Sequence, residues 1–94
     1  MLRIDLVVEN EAGFHVRVAS LICKEAMQFP ETEVLLSKNG VEADCKSCLD
    51  LLALMAPKGT TLTLTVDGED EQQAFDAIVS LFEHKFYEDE FANA

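Results

Sequence analysis

The sequence predicts an α+β fold, an open-faced two-layer sandwich in which three helices cover one face of a four-stranded antiparallel sheet. Three observations support this prediction. Apolar and polar residues alternate in short segments, as they do in half-buried strands. Other segments repeat their apolar residues with the period of an amphipathic helix. Turn residues separate the segments and give the order β-α-β-β-α-β-α.

The first strand and the first helix are separated by a short loop that contains Gly13. Alternation predicts the strand, at Leu2, Ile4, Leu6 and Val8. A spacing of three to four residues predicts the helix, from about Val16 to Met27, on a stripe formed by Ala19, Ile22, Cys23 and Ala26. The helix stops before Phe29-Pro30, because proline cannot continue it. His15 therefore stands at the helix start.

A hairpin and a short second helix follow. Residues 32–37 are strand-like, Lys38-Asn39-Gly40 has the chemistry of a hairpin turn, and the return strand alternates at Val41, Ala43 and Cys45. Ser47 is a favourable N-cap for a helix from Cys48 to Ala56. We expect Pro57-Lys58-Gly59 to end that helix.

The last strand and the last helix are the clearest elements. Threonines alternate with the apolar residues Leu62, Leu64 and Val66. An acidic first turn then precedes a helix whose apolar stripe is formed by Ala74, Ala77, Ile78, Leu81 and Phe82. The periodic pattern ends at Lys85. We therefore predict one domain over residues 1–86 and an acidic, loosely held tail over residues 87–94.

Size, charge and cysteine content exclude several classes of protein. A chain of 94 residues holds one core and is too short for a separate catalytic domain. Its net charge of −11 argues against nucleic acid or an anionic membrane surface as a partner. No apolar run approaches the ~18 residues of a spanning helix, and the first residues lack a signal-peptide pattern. Three cysteines fit a reducing cytosol. We expect a cytoplasmic protein, without membrane insertion, that binds other proteins.

His15 and Arg17 form the candidate reactive site. His15 falls at the N-cap or first turn of a helix, where the positive end of the helix dipole favours a neutral imidazole with an available lone pair. The backbone N–H groups of Val16 and Val18, together with the Arg17 guanidinium, can bind phosphate oxygens there. A short motif of this kind is weak when it stands alone. It favours a phosphoryl-accepting histidine that uses no cofactor and no metal ion.

Four motifs occur together with this element order: Gly13-Phe14-His15-Val16-Arg17, Lys46-Ser47, Pro57-Lys58-Gly59-Thr60 and Asp67-Gly68-Glu69-Asp70-Glu71. From about Leu2 to His84 the chain resembles the HPr family, the histidine phosphocarriers of the bacterial phosphoenolpyruvate-dependent sugar phosphotransferase system. The resemblance implies that His15 accepts phosphoryl from enzyme I and passes it to sugar-specific acceptor proteins, with Arg17 contacting the phosphate. It implies a monomeric carrier on which enzymes act, rather than an enzyme.

The resemblance also implies regulation at Ser47. In many members of the family a serine is phosphorylated by an ATP-dependent HPr kinase, a kinase/phosphorylase, and Ser47 matches it in position. An alternative function is therefore an HPr-like regulatory protein that acts mainly through Ser47 phosphorylation and protein binding. Charging of His15 by an enzyme I distinguishes the two.

Two residues near His15 depart from the family pattern. The chain has Val18 where a proline is usual, and Val16 where a small or hydroxylated residue is usual. Neither change removes the imidazole or the guanidinium, so we expect the chemistry to be retained.

The segment from Cys48 to Met55 is too apolar for a short helix to bury on every side. We expect Leu49 and Leu52 to be exposed as a docking surface for protein partners. For Leu51, Leu54 and Met55, exposure on the docking surface and burial between the neighbouring helices are about equally consistent with the pattern.

A C-x-x-C motif at Cys45 and Cys48 leaves a thiol redox module as a third function. Packing of both cysteines as small core residues is the stronger interpretation. A zinc site needs four ligands, and only Cys23 remains to join this pair. His84, off the apolar stripe of the last helix, is predicted to be a solvated residue near the helix end rather than a second phosphoryl acceptor.

Overall fold

The computed structural model describes residues 1–88, in which a four-stranded antiparallel sheet carries three α-helices. The strands are β1 (Leu2–Val7), β2 (Thr32–Lys38), β3 (Val41–Asp44) and β4 (Thr61–Gly68). The helices are α1 (Val16–Ala26), α2 (Cys48–Ala53) and α3 (Glu71–Glu83). The predicted fold class and element order are confirmed.

The sheet has one buried and one exposed face because apolar and polar residues alternate in its strands. Its order is β1-β4-β2-β3, and every pairing is antiparallel. In β4, Leu62, Leu64 and Val66 are buried against the helices, whereas the threonines between them lie on the other face. On that open face Thr63 donates a hydrogen bond of 2.7 Å to Asp5 of β1. The fold is thus the open-faced sandwich that the alternation predicts.

The helices contribute one apolar stripe each to the core, as their sequence periods predict. The buried residues of α1 and α3 are Val18, Ala19, Ile22, Ala26, Ala74, Ile78, Leu81 and Phe82. Burying a large aliphatic or aromatic side chain stabilises a fold by about 1.5–3 kcal/mol. α1 contacts both α2 and α3, so it lies between the other two helices. Its N-terminus is held by this core rather than by helix propensity alone.

Helix α2 is shorter than predicted. The apolar run suggests a helix to Ala56, but α2 ends at Ala53 and Met55 adopts a left-handed φ of 51°. Lys38 of β2 donates to the carbonyl oxygens of Leu54 (3.0 Å) and Met55 (2.7 Å), which satisfies groups left unpaired at the helix end. A contact from a distant strand therefore fixes where the helix stops.

Residues beyond α3 pack on the domain. Lys85–Tyr87 form a short 3₁₀ turn whose three residues have φ between 52° and 55°. Phe86 is fully buried, and its ring lies 4.8 Å from Phe82 and 5.9 Å from Phe14. The sequence analysis assigns Tyr87 and Glu88 to the acidic tail, whereas here both are half-buried. The rest of that predicted tail, residues 89–94, lies outside the described residues.

None of the helices in residues 1–88 has the length and apolar character needed to cross a membrane.

Candidate functional site

His15 is the N-cap residue of α1, as predicted. Its backbone is extended (φ −141°, ψ −178°), and its carbonyl accepts the first intrahelical hydrogen bond, from the Ala19 N–H at 2.9 Å. The imidazole accepts no capping hydrogen bond from the helix, and its side chain is 37% exposed. The imidazole ring therefore lies at the N-terminus of α1, where it is partly exposed to solvent and does not cap the helix.

Gly13 positions the loop that carries His15. Its φ is +67°, and a Cβ atom at this position would lie 2.8 Å from the carbonyl oxygen of Ala56. That close approach allows the next residue, Phe14, to donate its N–H to Ala56 at 2.9 Å. Only glycine combines this φ with this contact. The loop is thus braced against the segment that follows α2.

The first turn of α1 presents backbone N–H groups beside the imidazole. The N–H groups of Val16 and Val18 precede the first intrahelical hydrogen bond, so the helix itself does not use them. The two side chains differ, since Val16 is 68% exposed and Val18 is fully buried. Val18 anchors the helix start in the core, while its backbone N–H belongs to the first turn, where helix N-termini commonly bind anions.

Arg17 is connected to the C-terminal segment. Its guanidinium Nη1 donates to the carbonyl oxygen of Phe86 at 2.8 Å. Phe86 is in turn held by its aromatic neighbours in the core. The side chain predicted to contact phosphate is therefore fixed at the same end of the molecule as His15.

Glu88 is a residue of this site that the sequence analysis missed. Its Oε2 lies 3.9 Å from Nε2 of His15 and accepts a hydrogen bond of 2.8 Å from Nδ2 of Asn10. The backbone N–H of Ala12 donates to the same carboxylate at 3.3 Å and 3.4 Å. Asn10 also donates to the Gly13 carbonyl at 2.8 Å, so one buried side chain ties the loop to the C-terminal segment.

The surroundings of Glu88 favour its ionised form. Its pKa is held below the ordinary value chiefly by the Asn10 hydrogen bond. Burial is the next-largest effect and opposes this lowering, whereas the backbone N–H groups of Ala12 and Glu11 and the nearby His15 add to it. A carboxylate therefore faces the His15 imidazole.

Because the pKa of Glu88 is lowered, the stability that its contacts with Asn10 and Ala12 provide depends on pH in a defined direction. A carboxyl group with a depressed folded-state pKa stabilises the fold above its unfolded pKa, and the contribution is lost as pH falls through the folded value. We expect the NMR resonance of the Ala12 N–H to titrate with a midpoint below that of exposed glutamates. Glu88→Gln should remove this titration. An Ala12 midpoint equal to that of exposed glutamates would contradict the contact.

Ser47 and the apolar surface lie on α2, which packs on α1. Ser47 is the N-cap of α2, as predicted, and its Oγ accepts a hydrogen bond of 3.2 Å from the Asp50 N–H. Leu49 is 79% exposed, and Leu52 is half-buried. The exposure expected of this pair is therefore confirmed for Leu49 and only in part for Leu52. The sequence did not decide between burial and exposure for three further residues of this segment. Of these, Leu51 and Leu54 are buried and Met55 is exposed.

The C-x-x-C motif does not form a thiol pair at the surface. Cys45 is fully buried in the core, as the stronger interpretation expects, and burial raises the pKa of its thiol. Cys48 is only half-buried and faces α1. His84 is exposed, as predicted, and its ring stacks on Tyr87 at 5.0 Å.

Comparisons with known proteins agree with this geometry. A family model described as the PTS HPr component phosphorylation site matches residues 2–84. The phosphocarrier protein HPr of Cupriavidus necator is 38% identical over 90 residues, which are 96% of this chain and 100% of that protein. The HPr-like protein Crh of Halalkalibacterium halodurans is 32% identical over 83 residues, which are 88% of this chain and 98% of that protein.

A solved structure shows the same similarity. The crystal structure of HPr-C-His from Thermoanaerobacter tengcongensis superposes with a TM-score of 0.86 at 29% identity, over 92% of this chain and 96% of that chain. The range matched by the family model includes His15, Arg17 and Ser47 and stops before Glu88.

Proposed function

The chain belongs to the HPr family of phosphocarrier proteins, and we propose that it accepts phosphoryl from enzyme I on His15 and passes it to sugar-specific acceptor proteins. The observation that supports His15 as the acceptor is its place at the N-terminus of α1, uncapped and exposed, with Arg17 at the same end of the molecule. The protein is then a component of a phosphotransferase system, and partner enzymes act on it. It functions in the cytoplasm.

The surroundings of the imidazole favour one nitrogen as the nucleophile. Nε2 faces the Glu88 carboxylate at 3.9 Å, and a negative charge on that side favours keeping the ring proton on Nε2. Nδ1 then carries the lone pair. Because the imidazole accepts no capping hydrogen bond, that lone pair is not occupied by the helix and can attack the phosphoryl donor.

The transferred group then meets a positive helix terminus. A phosphoryl group on His15 would lie at the N-terminus of α1, where the backbone N–H groups of the first turn can donate to its oxygens. The positive end of the helix dipole also stabilises its negative charge. A phosphate oxygen is a stronger acceptor for a guanidinium than a neutral carbonyl. Arg17 can therefore exchange its contact with the Phe86 carbonyl for one with the phosphate, without leaving this end of the molecule. These preorganised groups supply the electrostatic stabilisation that phosphoryl transfer requires.

Charging by a purified enzyme I tests the function directly. The protein should gain one phosphate when it is incubated with phosphoenolpyruvate and enzyme I, as measured by intact mass. The phosphate should be labile to acid and stable to base, because it is bound to nitrogen. No gain in mass, with a control HPr charged in the same mixture, would refute the carrier function.

The environment of Ser47 supports a regulatory role. Ser47 lies beside the exposed Leu49, and two carboxylates flank its helix start. Asp50 Oδ2 accepts from the Asp44 N–H at 3.2 Å, and Asp44 Oδ1 accepts from the Lys46 N–H at 2.9 Å. A phosphate on Ser47, added by an HPr kinase/phosphorylase, would enlarge the negative charge next to the docking surface of Leu49 and Leu52. It would repel acidic partners without melting α2, because phosphate is compatible with a helix N-terminus.

We expect Ser47→Asp to slow the charging of His15 severalfold while leaving the melting temperature nearly unchanged, since aspartate is as good an N-cap as serine. Rates of phosphorylation by enzyme I measure the effect. Ser47→Asn is the matched control, because asparagine keeps the cap and adds no charge. Equal charging rates for the Asp and Asn variants would show that charge at this position does not regulate docking.

An HPr-like regulatory protein is the second candidate function, supported by the similarity to Crh. It would act mainly through Ser47 phosphorylation and protein binding. The presence of a histidine at the N-terminus of α1, with its imidazole not used as a cap, favours the carrier.

A further inference from the structure

Two cysteines on different helices lie together at the contact between α1 and α2. The Cys23 thiol lies 3.4 Å from the carbonyl oxygen of Lys46, and the Cys48 thiol lies 3.8 Å from that of Ala19. Ala19 is one helical turn before Cys23, and Lys46 is two residues before Cys48. Each thiol therefore contacts the backbone next to the other cysteine. Cys48 also contributes to the raised pKa of the Cys23 thiol, in keeping with this proximity.

This pair differs from the one in the C-x-x-C motif. Cys45 is fully buried, so a reagent cannot reach it without local unfolding. Cys23 and Cys48 are both half-buried, at the edge of the contact between the helices. The carrier function uses neither residue. The fold thus brings together two half-buried cysteines that are far apart in the sequence.

We propose that Cys23 and Cys48 are a redox modification site, which a low-molecular-weight disulfide oxidises to an intramolecular disulfide joining α1 to α2. One cysteine thiolate attacks the S–S bond of the reagent, forms a mixed disulfide and releases the first reagent thiolate. The other cysteine thiolate attacks the protein sulfur of that mixed disulfide and releases the second. Two cysteines are oxidised and one reagent disulfide is reduced to two thiols, which take up the two cysteine protons.

The disulfide would close at the edge of the docking surface. Cys48 is the first residue of α2, between Ser47 and Leu49. The crosslink would hold this end of α2 against α1 and would restrict the unfolded chain between the two cysteines. We expect the oxidised protein to melt at a higher temperature than the reduced protein.

Peptide mapping after equilibration with oxidised glutathione tests the proposal. Burial raises the pKa of the Cys23 thiol, with further contributions from Cys48 and Asp44, so the exchange is run at mildly alkaline pH to provide thiolate. After quenching with acid and unfolding, we expect one alkylatable thiol in place of three. Cleavage after lysine and arginine puts the three cysteines on separate peptides, residues 18–24, 39–46 and 47–58. The first and last of these should be linked by a disulfide.

Single variants provide the controls. Cys23→Ser and Cys48→Ser should each stop at a mixed disulfide with glutathione, whereas Cys45→Ala should still form the crosslink. Three alkylatable thiols in the parent protein at equilibrium would overturn the proposal. A crosslink that includes the peptide of residues 39–46, or stable glutathione adducts on both half-buried cysteines, would overturn it as well. None of these outcomes depends on whether His15 is phosphorylated.

Discussion

Replacing His15 by alanine is expected to abolish phosphorylation by phosphoenolpyruvate and enzyme I while leaving the fold intact. The change removes the nucleophilic imidazole. It removes no capping interaction, because the His15 side chain makes none with α1. Intact mass should show no added phosphate under conditions in which the parent protein is fully charged, and the melting temperature should change little.

The chain provides its own matched control for this variant. It contains two histidines, and His84 is exposed at the end of α3, where its Nδ1 lies 2.8 Å from the Ser80 carbonyl oxygen. His84 is the C-cap residue of α3, and only the three-residue 3₁₀ turn Lys85–Tyr87 begins after it, which is too short to offer the N-terminus of an α-helix. We expect His84→Ala to be charged as fast as the parent protein. An added phosphate that persists in His15→Ala and disappears in His84→Ala would reverse the assignment of the acceptor.

Local sequence signals predicted the helix starts at this site. Gly13 permits a left-handed φ, and His15 and Ser47 each precede an apolar helical pattern. These features depend on residues within one helical turn, so a single sequence contains them. The same locality explains why the N-cap positions were predicted correctly.

Long-range contacts account for what the sequence did not reveal. The end of α2 is fixed by Lys38 of β2, which no pattern within the apolar run indicates. Glu88 joins the site through Asn10, a residue 78 positions earlier, and charge composition alone assigns it to an acidic tail. The signal that could have found it is Phe86. An apolar aromatic residue inside an otherwise polar segment indicates that the segment has an anchor in the core.

The C-terminal turn also shows how tertiary contacts override local preference. A left-handed conformation costs roughly 1–2 kcal/mol per non-glycine residue, and Lys85–Tyr87 adopt it three times in succession. Burial of Phe86 and the Arg17 hydrogen bond to its carbonyl hold the segment there. Arg17 thus has a structural contact as well as its proposed contact with phosphate, and its test has to separate the two.

Arg17→Ala is expected to slow the charging of His15 by roughly 10- to 150-fold, which corresponds to a charge-assisted hydrogen bond worth about 1.5–3 kcal/mol in the transition state. Rates with enzyme I measure the loss. Arg17→Lys should recover part of the rate, because it restores the charge without the planar guanidinium. Phe86→Leu is the control for the structural contact, since it weakens the aromatic packing that holds the C-terminal segment and leaves both Arg17 and Glu88 in place. If Phe86→Leu slows charging as much as Arg17→Ala, the arginine acts by holding Phe86; if it does not, the guanidinium acts on the phosphate itself.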